Sequence, residues 1–336
     1  MAFVKNIDEI KKFAGITDSS NVDSILPDIN DVEENKILPI LGNSLYASLL
    51  LSYKNNTIIA DSAQDKLLSK IQKALINIAL QQYSSLAQLD FSDSGIRQIE
   101  DATFKSPKQW QIDDLRDYFF MKGYRAIDEL LLFLEENKAT FVTWASDTKA
   151  YTINKKFIVS DTNSFQKFYD IKESRTTFMA LQPTMRIIEM MHIMPNLSVG
   201  LYNQIKAEIE ANNISSANKD LMDLLQLAIT QFTVARAIDT KIIEISNDGV
   251  YSRNYRSSMD NSREKMKATA SDRQNAQDSC MKIAESAMEN LRDFLNSKAS
   301  AILYNDYFNS PLYVAPATEE INAPYVNFSN DKIYVA

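Results

Sequence analysis

NKILPILGNSLY, residues 35–46, returns later in the chain as MHIMPNLSVGLY, residues 191–202. Pro39 answers Pro195, Leu41 answers Leu197, and Leu45-Tyr46 answers Leu201-Tyr202, always 156 residues apart. Extended backwards at that spacing, Pro27 falls on Pro183 and Glu33 on Glu189. Downstream, a helical run over 67–86 ends in LDFSDSGI (89–96), and a second over 221–238 ends in IEISNDGV (243–250). A third block, AIDELLLFLEE from Ala126, matches AMENLRDFLNS from Ala287. Three blocks in one order, with paired Pro and Gly in a chain holding only 8 Pro and 6 Gly, point to an internal duplication. The expected fold is mainly α: two tandem helical-bundle domains with small β-hairpin elements and an extended C-terminal tail. The boundaries are 1–146, 147–303 and 304–336.

The bulk numbers agree with that reading. A chain of 336 residues is long enough for two domains with cores of their own. With 45% hydrophobic and 24% charged residues it has the composition of a globular protein. A net charge of −8 argues against a dedicated nucleic-acid binder. One cysteine, Cys280, excludes an intramolecular disulfide and suits a reducing compartment. No apolar run approaches the ~18 residues of a membrane span, and MAFVKNIDEIKKF lacks a signal-peptide core. The expectation is a protein made in the cytoplasm and used or assembled there.

Taken in order, Phe3, Ile7, Ile10 and Phe13 lie at helical spacing before Gly15. Pro27 is expected to start a helix, where proline is tolerated in the first turn, and Pro39 to end or bend it. Residues 61–88 hold one apolar stripe, from Leu67 through Ile71, Leu75 and Ile78 to Leu86, with Lys66, Lys70, Lys73 and Gln81 outside it. LDFSDSGIRQI alternates around a Ser-Asp-Ser-Gly turn and reads as a hairpin or strand-like loop. A helix over about 110–137 should bury a face of Leu115, Tyr118, Phe119, Ala126, Ile127, Leu130, Leu131 and Leu134. Residues 140–165 read as a joint. Beyond about 303 the prolines forbid a helix, so the tail reads as extended chain.

The chemical inventory is thin. The one histidine, His192, and the one cysteine, Cys280, cannot form a tetrahedral zinc set. Cys280 falls on a stripe with Ile283, Ala284 and Ala287 and reads as a packed small hydrophobe. No glycine-rich phosphate loop and no GxSxG elbow occurs. The acidic pairs Glu33-Glu34, Asp113-Asp114 and Glu135-Glu136 diverge on a helix, as adjacent residues do, and read as solvated faces. No catalytic residue, metal or cofactor is expected.

Two segments carry candidate partner contacts. The 251–279 loop holds Arg253, Arg256, Arg263, Lys265 and Lys267, offset by nearby acids. It is either a mixed-charge surface loop or a contact for an acidic partner or passing nucleic acid. The tail carries Tyr307, Phe308, Tyr313, Tyr325, Phe328 and Tyr334, too many aromatics for an idle disordered segment. An extended segment satisfies its backbone on a sheet edge or in a groove, of its own chain or of a partner.

The succession ILPILGNSLY, KALINIALQQY, FSDSGI and KSPKQWQIDDLRDYFFMKGYRAIDELLLFLEEN resembles the head–tail connector (adaptor, head-completion ring) proteins of tailed bacteriophages infecting Bacteroidetes. The resemblance covers about 25–140 and, more weakly, 165–300. It implies a virion structural protein without an active site. It further implies a ring, dodecameric in such proteins, at the head–tail junction, assembled in the host cytoplasm. The partners implied are further copies of the chain, the portal protein, and tail or further ring proteins. DNA would pass through the lumen without sequence-specific binding, and no membrane is involved. Two copies per chain depart from the family pattern, which leaves the subunit number open. Helix faces around 40–53 and 196–210 are further candidate contacts. The rival reading is a cytoplasmic helical adaptor or regulator binding a host or phage partner.

Overall fold

The structure, a computed structural model, describes residues 3–15, 22–84, 86–87, 89–92, 95–98, 107–147, 157–240, 243–246, 249–252 and 269–316. It is mainly helical. The first half runs α1 (Ile7–Lys11), α2 (Val22–Val32), a π-helical turn π1 (Glu33–Ile37), α3 (Leu38–Lys54) and α4 (Ala63–Tyr83). Strands β1 (Leu89–Ser92) and β2 (Gly95–Gln98) follow, then α5 (Gln109–Glu136) and α6 (Val142–Asp147). The second half runs α7 (Thr162–Gln166), α8 (Arg175–Ile188), π2 (Glu189–Ile193), α9 (Met194–Leu197), α10 (Val199–Glu210) and α11 (Ser216–Thr240). It closes with β3 (Ile243–Ser246), β4 (Gly249–Ser252), α12 (Ala270–Lys298) and α13 (Asn305–Phe308). Each strand pair is antiparallel, with Phe91 opposite Ile96 and Ile245 opposite Val250.

Each half has its own apolar core, one drawn from residues 3–144 and the other from 157–307. The central helices α4 and α11 are enclosed on every side over their middle turns, not along one stripe. Residues 74–80 of α4 and 228–235 of α11 are all buried. The apolar length of α11 would also suffice for a membrane span, but two thirds of it is buried inside the protein. Helices α4 and α5 pack closely at Gly123, where an added Cβ would stand 2.5 Å from Ile78 Cγ1. The N-termini are capped locally. The Ser62 hydroxyl accepts the Asp65 N–H at the start of α4. At α12, Thr269 and Asp272 exchange reciprocal bonds.

The prolines act differently from the sequence expectation. Pro27 and Pro183 lie inside α2 and α8 rather than opening them. Pro39 and Pro195 follow the π-turns, in which Leu38 N–H reaches back to the Glu33 carbonyl and Met194 N–H to that of Glu189. Proline lacks a donor and its ring crowds the carbonyl four residues earlier. The wider i→i+5 turn just before it lets the chain continue helically without a full break.

Three residues after each proline the helix does break. Gly42 stands at φ 73°, ψ 158°, and its counterpart Ser198 at φ 64°, ψ 150°. That region is essentially reserved for glycine. Ser198 also buries its hydroxyl without a hydrogen-bond partner.

Other expectations change as well. Leu115 and Tyr118 are exposed, and the buried face of α5 begins at Phe119. The tail does not begin at residue 304. Tyr304 and Tyr307 are buried in the second core, on a short helix that occupies the place of α6. The pairs Phe133–Phe141 and Phe294–Tyr304 both stand 6.2 Å apart, and the buried Trp144 and Tyr307 each follow three residues later. Apolar side chains there are drawn into the bundle despite the nearby prolines.

The halves meet where α8 rests on α5. Arg175 Nε bonds Glu135 Oε2 at 2.8 Å, and Asp128 Oδ1 accepts the Thr176 N–H at 2.8 Å on the first turn of α8. Met179 packs against the first core. Burial pushes the Glu135 carboxyl above the ordinary value, and Arg175 only partly reverses that.

Opposite substitutions at the two breaks should act with opposite sign. Gly42→Ala should cost about 1–3 kcal/mol in urea unfolding, because a Cβ strains that backbone. Ser198→Gly should stabilise by about 1 kcal/mol, relieving the strain and removing an unpaired hydroxyl against the entropy cost of glycine.

Candidate functional site: twin buried carboxylates and a cleft in the second bundle

The π-turns place one carboxylate in the heart of each half. Glu33 is 3% exposed and Glu189 2%. Glu33 Oε2 accepts the Phe3 N–H at 3.0 Å, and Glu33 Oε1 accepts the Tyr46 hydroxyl at 2.5 Å. Gln72 Nε2 donates to the Phe3 carbonyl at 2.8 Å. In the second half Glu189 Oε1 accepts the Ile158 N–H at 2.6 Å, and Glu189 Oε2 accepts the Tyr202 hydroxyl at 3.1 Å. Gln226 Nε2 donates to the Ile158 carbonyl at 3.2 Å. Each network thus clamps both backbone groups of one residue in a non-helical segment, through a carboxylate on one side and an amide on the other. A buried carboxylate is tolerable only when its lone pairs are filled this way.

Burial first, then the bond to Glu33, pushes the Tyr46 hydroxyl well above the ordinary tyrosine value, so it stays a donor. Burial and the Glu189 charge do the same at Tyr202. The networks differ in charge. Lys206 Nζ lies 2.8 Å from Glu189 Oε2, while the corresponding position in the first half is Leu50. Only the second carboxylate has a cation at contact distance among the described residues.

A second feature lies in the second half. Between π2, α9, α11 and α12 lies a cleft of about 240 Å³. Its floor is Phe232 and Met288, both buried. His192 stacks on Phe232 with ring centres 4.5 Å apart. Asn196 and the exposed side chains Glu285, Glu289 and Arg292 form the rim. Cys280 is buried, and burial raises its thiol above the ordinary value, which fits a packing role. Among the described residues no group of three His, Cys, Asp or Glu side chains converges as a metal site.

Of the sequence-predicted contact residues, Tyr307, Phe308 and Tyr313 lie among the described residues. Tyr307 is fully buried in the second core, and its hydroxyl meets Asn296 Oδ1 at 3.2 Å, so it presents nothing to a partner. Phe308 is half-buried against Tyr313, ring centres 4.7 Å apart. Arg253, Arg256, Arg263, Lys265, Lys267, Tyr325, Phe328 and Tyr334 lie outside the described residues. On the candidate faces 40–53 and 196–210, Leu51 and Val199 are exposed.

A family described as "Family of unknown function (DUF6712)" matches residues 37–152 and 193–317. The chain belongs to this DUF6712 family. Each matched segment opens at the end of a π-turn and closes beyond the short helix α6 or α13, so the two matches are consistent with a two-part repeat. No curated protein and no solved structure matches the chain.

Sequence reasoning placed Glu33 on a solvated face; the structure puts it at the centre of the first bundle. The signal that could have found it was its recurrence as Glu189 in step with Tyr46 and Tyr202, and with Gln72 and Gln226 on the central helices. A repeated glutamate, tyrosine and glutamine marks a repeated network rather than a surface.

The charge difference sets unequal costs for the same substitution. Glu33→Gln should cost about 1 kcal/mol, since an amide still accepts the Phe3 N–H. Glu189→Gln should cost more than that, because it also removes the charge that faces Lys206 Nζ at 2.8 Å. Urea titrations of both variants against wild type measure the difference.

Proposed function

We propose that this DUF6712 chain is a structural connector of a tailed-phage virion. Two tandem copies of an ancestral helical module build a subunit of a homo-oligomeric ring. The ring joins the portal to the tail or to a further ring, and its lumen passes DNA without reading sequence. It assembles in the host cytoplasm and works at the head–tail junction.

The observation that carries this reading is apolar surface on both halves. Along the first turns of α5, Trp110, Leu115, Tyr118, Phe120 and Met121 are all at least 44% exposed. Ile187, Met190, Met191 and Met194, at helical spacing through π2, are exposed as well. Their counterparts 156 residues earlier are Asp31, Glu34, Asn35 and Leu38, so the second module carries methionines where the first is mostly polar. Contiguous apolar patches on a soluble protein mark surfaces that neighbours cover, and methionine adapts to irregular partners. The net charge of −8 suits a lumen along which DNA slides rather than sticks.

Native mass spectrometry and negative-stain microscopy test the proposal. The expected result is a closed oligomer that adds to purified portal. A chain that stays monomeric at tens of micromolar and ignores portal would overturn it.

A further inference from the structure

The contact that joins the halves follows a residue pattern that runs on beyond it. On α8, Arg175 bonds Glu135 and Met179 packs against the first core. Eleven residues later the same pair returns as Arg186 and Met190. Eleven residues make about three helical turns, so both pairs lie on one side of the rod formed by α8, π2 and α9. The first pair is covered by α5, while Met190 stands 59% exposed. Arg186 is the single charged residue among the exposed side chains from Ala180 to Pro195; the others are alanine, proline, isoleucine and methionine. The corresponding stretch of the first half, 24–39, exposes Asn30, Asp31, Glu34, Asn35 and Lys36 instead.

Helix α5 shows a matching continuation. Its side toward α8 carries Asp128 and Glu135, seven residues apart. Traced back in steps of seven, four, three and four, the same side presents Met121, Asp117, Asp114 and Trp110. All four are exposed, Met121 by 65%. The cations flanking this side are engaged on their own helix. Lys122 Nζ donates to the Tyr118 hydroxyl at 3.0 Å, and Arg125 Nε lies 3.9 Å from Glu129. Asp113 and Arg116 are half-buried and lie off this side.

Each helix therefore has one side of which part is spent between the halves and part is bare. The covered part pairs carboxylates of α5 with an arginine and a methionine of α8. The bare parts hold the same complement: Asp114, Asp117 and Met121 on α5, Arg186 and Met190 on the rod. Both are exposed in the single chain, so they do not cover one another there. We propose that the 110–121 stretch of α5 in one copy of this chain lies along the 183–194 side of a second copy. Arg186 then faces Asp114 and Asp117, and the methionines of the two stretches meet. Because the two surfaces differ, the contact is head-to-tail and propagates from copy to copy. It rests on the connector reading only in naming the join between subunits.

A charge swap divided between two proteins tests it, read by sedimentation velocity over a concentration series. Wild type should associate. Arg186→Asp alone should raise the midpoint concentration about tenfold or more, and so should Asp114→Arg with Asp117→Arg, since each sets like charges against one another. All three positions are exposed, and circular dichroism should show unchanged helicity. Mixing the two variants should restore association, because each then meets the opposite charge on the other. Failure of the mixture to associate overturns the proposal, and so does rescue only when all three substitutions share one chain. Wild type that stays monomeric at tens of micromolar, or variants that associate as wild type does, overturn it as well. Association restored by mixing, without binding to portal, supports the contact and overturns the connector reading. A portal-binding ring indifferent to the swaps overturns the contact and leaves the connector reading standing.

Discussion

A buried carboxylate must have its lone pairs met by donors, and two such carboxylates set the geometry of this chain. Glu33 and Glu189 each take a backbone N–H from a non-helical segment and a tyrosine hydroxyl from the helix beyond the proline. Leaving either group unpaired would cost several kcal/mol. That segment, the π-turn and the following helix are therefore held in one relative placement. The glutamine on the central helix closes the circuit on the same segment. Most of the core packs around that junction, with α4 or α11 as its axis.

From one plan the two halves diverge in what surrounds it. The second carboxylate gains Lys206 where the first half keeps Leu50. In the first half Trp144 donates to the Ile40 carbonyl, and in the second half a cleft lies beside Asn196. The face of α5 that holds the second half through Asp128 and Glu135 becomes Glu289 and Asn296 on α12, where Glu289 borders that cleft. The core network stays fixed while the surfaces change. Such a pattern is expected when burial constrains the inside and neighbours shape the outside.

Much of this was legible in the residues. The 156-residue spacing of Pro39 and Pro195 located corresponding elements, and the long periodic runs located α4, α5 and α11. What failed did so for identifiable reasons. Pairwise logic put Glu33 in water because adjacent carboxylates usually diverge on a helix surface; the π-turn and the incoming Phe3 segment turn one of them inward. Periodicity assigned Leu115 and Tyr118 to the core, although α4 ends at Tyr83 and offers them no covering helix among the described residues. The prolines after residue 310 argued for an extended tail, although Tyr304 and Tyr307 anchor the chain before them.

The sequence by itself determined that the chain is helical and that its plan recurs, because apolar spacing acts on the local backbone. Only the tertiary structure decided which polar residues are interior, which aromatic closes each bundle, and which apolar faces remain open. Those outcomes depend on segments distant in sequence, such as Phe3 on Glu33 or Trp144 on Ile40, arriving at one place and satisfying one another there.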